Sequence, residues 1–126
     1  MAGTLVANTI NTDTGLFSTN NAYLGIAKAW VNYNASSGSA VINASFNVSS
    51  ITVNGTGDHT INFTTAMPDA NYVLNGQTNQ NLTTYNRVVQ FPWTSAPTTT
   101  TARIRTADTG TGAGNNTYNC IVVNGN

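Results

Sequence analysis

Ile51-Thr52-Val53-Asn54-Gly55-Thr56-Gly57-Asp58-His59-Thr60-Ile61-Asn62-Phe63-Thr64-Thr65 is the stretch on which the fold reading turns. Ile51 and Val53 alternate with polar neighbours, Asn54-Gly55 opens a run of turn formers, and Ile61 and Phe63 then alternate with Thr60, Asn62 and Thr64. Two period-two runs around an Asn-Gly step form the strongest short-range hairpin signal, because that dipeptide tolerates the positive φ of tight turns between antiparallel strands. The returning strand is placed at 59–65, with Ile61 and Phe63 pointing inward.

The same alternation extends in both directions. Upstream, 41–48 reads as a strand with Ile42, Ala44, Phe46 and Val48 on one side, Asn43, Ser45 and Asn47 on the other, and a bend at Ser49-Ser50. Before it, 25–33 sets Ala27, Ala29, Val31 and Tyr33 against Ile26, Lys28, Trp30 and Asn32, and 34–39 makes the loop. Leu5 to Ile10 is a first short strand, followed by a turn at 11–15. Downstream, Pro68 marks 66–70 as a connection, since proline cannot donate to a ladder. Further strands are expected at 72–74, ending near Asn75-Gly76, and at 87–91. Another carries Ala102, Ile104 and Thr106 on one face and Arg103 and Arg105 on the other. A Gly-rich tip at 108–114 precedes a closing strand at 117–123, in which Cys120 takes a core position as a small hydrophobe. No window places apolar residues at helical spacing among good helix formers. The expectation is all-β: a compact, jelly-roll-like antiparallel β-sandwich of about 6–8 strands. Residues 1–21 form an N-terminal docking arm and 22–126 a single domain.

Composition narrows the function. Of 126 residues, 22 are Thr and 20 Asn, while charged residues make up 6% against about 25% in an ordinary soluble domain; solubility therefore comes from neutral polar groups. Four Lys and Arg balance four Asp, and Glu is absent, so the clustered basic charge that phosphate contacts need is missing and nucleic acid is excluded as a partner. The 40% hydrophobic and 9% aromatic content argues against disorder. Met1 to Val6 carries neither the basic nor the apolar region of a secretory signal, and no apolar run is long enough to span a bilayer. Cys120 is the single cysteine, which excludes a disulfide framework and fits folding in a reducing cytoplasm.

Chemistry-bearing constellations are scarce. Zinc sites need several His, Cys or carboxylate ligands, and the chain has one His, one Cys and four Asp. His59 beside Asp58 is expected at the surface or in a subunit contact. There is no Gly-x-Ser-x-Gly elbow for a serine hydrolase. Asp13, Asp58, Asp69 and Asp108 all lie in turn contexts, where Asp is expected for backbone hydrogen bonding rather than as a glycosidase pair. Gly55-Thr56-Gly57 and 110–114 do not continue as Gly-Lys-Ser/Thr and read as turns, not phosphate loops. Seven Asn-x-Ser/Thr matches, at Asn34, Asn43, Asn47, Asn54, Asn62, Asn81 and Asn115, arise from composition alone. No catalytic residue, metal or cofactor is expected.

Binding surfaces are the alternative. A sandwich has open sheet edges, and this chain lacks the Lys and Glu that usually protect them; a homotrimer would bury both edges and the second apolar face of the 27–33 strand. Trp30, Tyr33, Arg103 and Arg105 are the candidate interface residues, with Trp93, Tyr72 and Tyr85 as further aromatics for core or sugar stacking. Leu5, Val6 and Ile10 are the candidate docking residues of the weakly patterned arm.

Ala44-Ser-Phe-Asn-Val-Ser-Ser-Ile51, the run Asn54 to Tyr72, and Gly25-Ile-Ala-Lys-Ala-Trp-Val-Asn-Tyr33 resemble a domain of tailed-bacteriophage virion surface proteins, tail-fibre-like and other structural proteins among them. The resemblance spans residues 5–75; 76–126 share only Thr- and Gly-rich character. It implies a non-enzymatic structural protein of the virion, made in the host bacterial cytoplasm, whose partners are the major capsid protein or tail proteins. A short chain opening at Met1, without a shaft, is expected to be a capsid decoration or cement protein. The alternative is a tail-fibre tip module that binds a host surface receptor or glycan.

Overall fold

A computed structural model of the chain describes residues 3, 6, 9–12, 15–18, 23, 25–79, 87–92, 94–108 and 112–125. The strands among them are β1 (Thr9–Thr12), β2 (Gly15–Ser18), β3 (Ala27–Asn34), β4 (Val41–Phe46), β5 (Val48–Gly55), β6 (Asp58–Phe63), β7 (Val73–Asn79), β8 (Arg87–Gln90), β9 (Thr101–Asp108), β10 (Gly112–Ala113) and β11 (Tyr118–Asn124). The fold is all-β. Two antiparallel sheets form its body, one ordered β4-β3-β11-β7, the other ordered β5-β6-β9 with β8 and β10 also on β9. Arg105 pairs with both Asp58 of β6 and Gln90 of β8, and Ala107 with both Ala113 of β10 and Val88 of β8. β6 and β10 therefore follow one another along one edge of β9, and β8 takes the other. β1 and β2 pair as a separate hairpin.

Alternation along each central strand builds the core between the sheets. Ala29, Val31 and Tyr33 of β3 and Ile121 and Val123 of β11 meet Ile61 and Phe63 of β6 and Ala102 and Ile104 of β9, all buried. This is a β-sandwich-like arrangement, in which each sheet gives one face to a shared interior. The phases expected for 27–33, 59–65 and 102–106 match the structure, with Arg103 and Arg105 opposite Ala102, Ile104 and Thr106.

Four readings are corrected. The 41–48 segment is two strands in different sheets, and the break is at Asn47 rather than Ser49-Ser50. Asn47 has a left-handed backbone, φ 54°, which Asn adopts more readily than most residues. Its amide donates to the carbonyls of Lys28 (3.0 Å) and Thr65 (3.1 Å), and its Oδ1 accepts from the Thr65 N–H (2.7 Å). Second, the β3–β4 register skips Asn43: Asn32 faces Ala44, but Tyr33 faces Ile42. This bulge turns Ala44 and Phe46 outward while Ile42 stays half-buried. Third, the β5–β6 turn falls at Thr56-Gly57, with Gly57 at φ 65°, and Asn54 is the extra residue in the register. Fourth, Cys120 is exposed, because Asn119, Ile121 and Val123 take the inward positions of β11.

The two sheets meet at both sides. Asn47 carries the chain from β4 to β5, and β7 lies beside β8. A Cβ on Gly76 of β7 would stand 2.6 Å from Ile121 Cδ1 and 3.2 Å from Val89 Cβ, so a larger residue there would press on both side chains as β7 closes on them.

Candidate functional site

The outer faces of the two sheets differ in chemistry. On the β5-β6-β9 face, hydroxyls and amides satisfy one another: the Asn62 amide donates to Ser50 Oγ and Thr52 Oγ1 at 3.0 Å, and the Asn54 amide to Thr60 Oγ1 at 2.8 Å. Arg103 grips Asp58 with two donors, Nε to Oδ1 at 2.8 Å and Nη2 to Oδ2 at 2.5 Å. This fork holds the Asp58 carboxyl below its ordinary range and raises the Arg103 guanidinium.

The outer face of β4-β3-β11-β7 is apolar at its centre. Ladder pairing lines up Phe46, Trp30, Val122 and Asn75 across its four strands, with Ala44, Asn32, Cys120 and Gln77 in the next row. Phe46 is 54% exposed, Trp30 39% and Val122 37%, with exposed Tyr118 and Val73 beyond them. Asn32 donates to Cys120 Sγ at 3.3 Å and accepts from Asn43 at 2.8 Å, which fixes the amide row beside the aromatic one. Lys28, the one Lys or Arg on these four strands, folds away over the Tyr23 ring, 3.2 Å from its centroid, and donates to the Tyr23 carbonyl. A contiguous uncharged apolar row on a solvent-facing sheet is the usual mark of an interaction surface.

Behind these faces lies a buried polar network. Tyr33 Oη and His59 Nδ1 are 2.7 Å apart, and His59 Nε2 lies 3.2 Å from Asn115 Oδ1. The Gly57 N–H donates to that same Oδ1 at 2.7 Å, which fixes it as an acceptor. The ring therefore carries its proton on Nε2, and the Tyr33 hydroxyl donates to Nδ1. Both residues are fully buried. Burial pushes the His59 pKa down and the Tyr33 pKa up. Nearby, Asn116 donates to Thr78 Oγ1, which donates to Asn119 Oδ1 at 2.7 Å, and Asn119 donates to the carbonyl of Asn116 at 2.9 Å. Arg87 donates to Asn116 Oδ1 at 2.5 Å. In this way the network pairs the buried side-chain polar atoms of Tyr33, His59, Thr78, Asn116 and Asn119 with one another and with their neighbours.

The expected site residues thus separate. Trp30 is on the apolar outer face. Tyr33 points the opposite way and is 0% exposed, so it belongs to the core and not to an interface. His59 is likewise buried rather than at the surface; it shares its phase with Ile61 and Phe63, a signal present in the sequence. Arg103 and Arg105 lie on the other sheet's outer face, away from Trp30. Val6 is 89% exposed; Leu5 and the side chain of Ile10, like Trp93 and Tyr85, lie outside the described residues. Phe46 and Val122 were not foreseen as surface residues, because the Asn43 bulge and the inward Asn119 reverse the simplest reading of their strands. Among the described residues, no three His, Cys, Asp or Glu side chains group to hold a metal, and no helix is long and apolar enough to cross a membrane. No protein-family model matches the chain, and no curated protein or solved structure matches it either.

Proposed function

We propose that the chain is a non-enzymatic structural protein of a tailed-bacteriophage particle, a capsid decoration protein that assembles as a homotrimer through the outer face of β4, β3 and β11. The observation that carries the reading is the uncharged row Phe46-Trp30-Val122, exposed while many hydroxyls and amides of the opposite outer face bond one another. Copies meeting on it encounter no like charge, and Lys28 is already drawn aside. The likeness of 25–33, 44–51 and 54–72 to virion surface proteins supplies the setting, and with it the threefold symmetry. The face carries more of the argument than the edges, since β4 runs on into β5 and β7 lies beside β8. The jelly-roll likeness belongs to the same proposal: apart from the two-residue β10, the two sheets hold eight strands among the described residues, a jelly roll's number, although β3–β4 and β5–β6 pair within their sheets.

Trp30 and Phe46 stand beside the Asn32 amide, and Asn75 and Gln77 lie on the same face beyond β11, which favours a second reading, a fibre-tip module stacking a host glycan on the aromatic row. Quantitative mass spectrometry of purified particles tests the proposal. A copy number at a simple fraction of the major capsid protein is expected. A far lower, tail-like count favours the second reading, and absence rejects both. Sedimentation velocity adds the assembly test: a trimer is expected, with Trp30→Ser/Phe46→Ser reducing it to monomer, and a monomeric parent protein would refute the interface.

A further inference from the structure

The chain has four Lys and Arg residues, and three have evident work. Lys28 is held by Tyr23, Arg87 by Asn116 and Arg103 by Asp58. Among the described residues Arg105 alone of the four has a side chain that makes no hydrogen bond or ion pair. It stands exposed on β9, across from Asp58 of β6 and Gln90 of β8. There it lines a cleft of about 350 Å³ with Gly55, Thr56, Asp58, Pro92 and Thr94, within the size range of small-ligand sites.

The lining decides what the cleft suits. A guanidinium presents a planar fork of donors matched to an oxyanion. Asp58 Oδ1 already accepts from Arg103 and Asn54, but Oδ2 accepts from Arg103 alone and keeps a free acceptor position, which suits a hydroxyl donor and disfavours a dianion such as phosphate. Thr56 and Thr94 add two hydroxyls, and Pro92 an apolar ring. Gly55 has nothing within 4 Å of where a Cβ would stand, and its φ lies outside the left-handed region, so the cleft is open above it. We propose that this cleft binds a carboxylate carried on a hydroxylated ring, the chemistry of an acidic sugar residue, with Arg105 holding the carboxylate and Asp58, Thr56 and Thr94 the hydroxyls. The site is on the sheet opposite the proposed assembly face, so the two readings stand or fall separately.

Titrating the full chain with sodium glucuronate, glucose, sodium acetate or inorganic phosphate, followed by ¹H–¹⁵N spectra, tests it. Glucuronate is expected to shift the Gly55 and Thr56 amides and the Arg105 Nε–H with a Kd of about 1 mM, as for one small exposed site. Glucose, acetate and phosphate should each bind at least about tenfold more weakly. Arg105→Gln should weaken glucuronate binding about tenfold, and Gly55→Leu, which fills the open space without altering any charge, should do the same. Both variants should retain the parent spectrum elsewhere. Absence of glucuronate shifts, glucose or phosphate binding as tightly as glucuronate, or undiminished binding by folded Arg105→Gln would each overturn the proposal.

Discussion

Asn47 is the residue whose replacement most directly tests the account of how the sheets are joined. It carries the chain from β4 to β5 in a left-handed conformation and makes three hydrogen bonds with backbone groups of Lys28 and Thr65. Asn47→Ala removes all three, at about 0.5–1.5 kcal/mol each, and leaves a Cβ residue at positive φ, a further cost of about 1 kcal/mol. The expected loss is about 3–4 kcal/mol, a large share of the roughly 5–15 kcal/mol that holds a domain folded. Asn47→Gly loses the same bonds but relieves the backbone, so it should be about 1 kcal/mol less damaging even though glycine adds freedom to the unfolded chain. Asn47→Asp can still accept from the Thr65 N–H but sets a carboxylate against the carbonyls of Lys28 and Thr65, and should be no better than Ala at neutral pH. Equilibrium urea unfolding followed by tryptophan fluorescence measures all three. A loss below about 1 kcal/mol for Asn47→Ala, less than even the weakest three such bonds, or an Ala variant more stable than Gly, would refute the corner.

Other expectations follow from the same geometry. His59 is buried neutral with its pKa held below the ordinary 6.5, so its unfolded form binds the proton first. The His59 contribution to stability should be flat above pH 6.5 and fall on acidification below it by up to about 1.4 kcal/mol per pH unit; His59→Gln should remove that slope in pH-dependent urea melts. Asp58, its pKa lowered by Arg103, contributes stability above the ordinary 3.8 that is lost as pH falls below it, so Asp58→Asn should alter only that more acidic limb. Burial pushes Tyr72 up to about 12, so folding should weaken as pH rises above 10, and alkaline difference spectra should show Tyr72 ionising later than a free tyrosine. Gly76→Ala drives a methyl toward Ile121 and Val89 and should lower stability by about 1–3 kcal/mol, the usual range for overpacking, in thermal unfolding.

The sequence made the inner strands legible and concealed the corners. β3, β6 and β9 are read correctly because each alternates apolar and polar residues over its length, and the two arginines of β9 mark the outward phase. β4 and β5 look like one strand because Asn47 is one of 20 Asn, and nothing local tells the one in left-handed conformation from the others. The turn is mislocated by two residues for a similar reason: Asn54-Gly55 and Thr56-Gly57 both carry the required glycine, and the contest is settled by contacts with distant chain, the Gly57 carbonyl accepting from Thr106 and its N–H donating to Asn115. β11 is read out of phase because burying Asn119 looks unfavourable until Thr78, Asn116 and Tyr33 supply its partners. Tyr33 is assigned to an interface despite its inward phase, since an aromatic residue suits either place.

Those same misreadings explain why the apolar face exists. Asn116, Asn119, Thr106 and His59 are fully buried among Tyr33, isoleucines and valines, with Phe63, Met67 and Tyr72 completing the core. An interior built with that much amide and hydroxyl chemistry depends on hydrogen-bond closure as well as apolar volume. Trp30 and Phe46 are left outside it, paired across β3 and β4. Had they been needed for stability, a one-residue change of register at Asn43 would have turned Phe46 inward; the bulge, tied by the Asn43–Asn32 hydrogen bond, instead holds it beside Trp30. The bulge accounts for Phe46 and the alternation of β3 for Trp30, and the exposed apolar row they make together is the surface that the proposed assembly would cover.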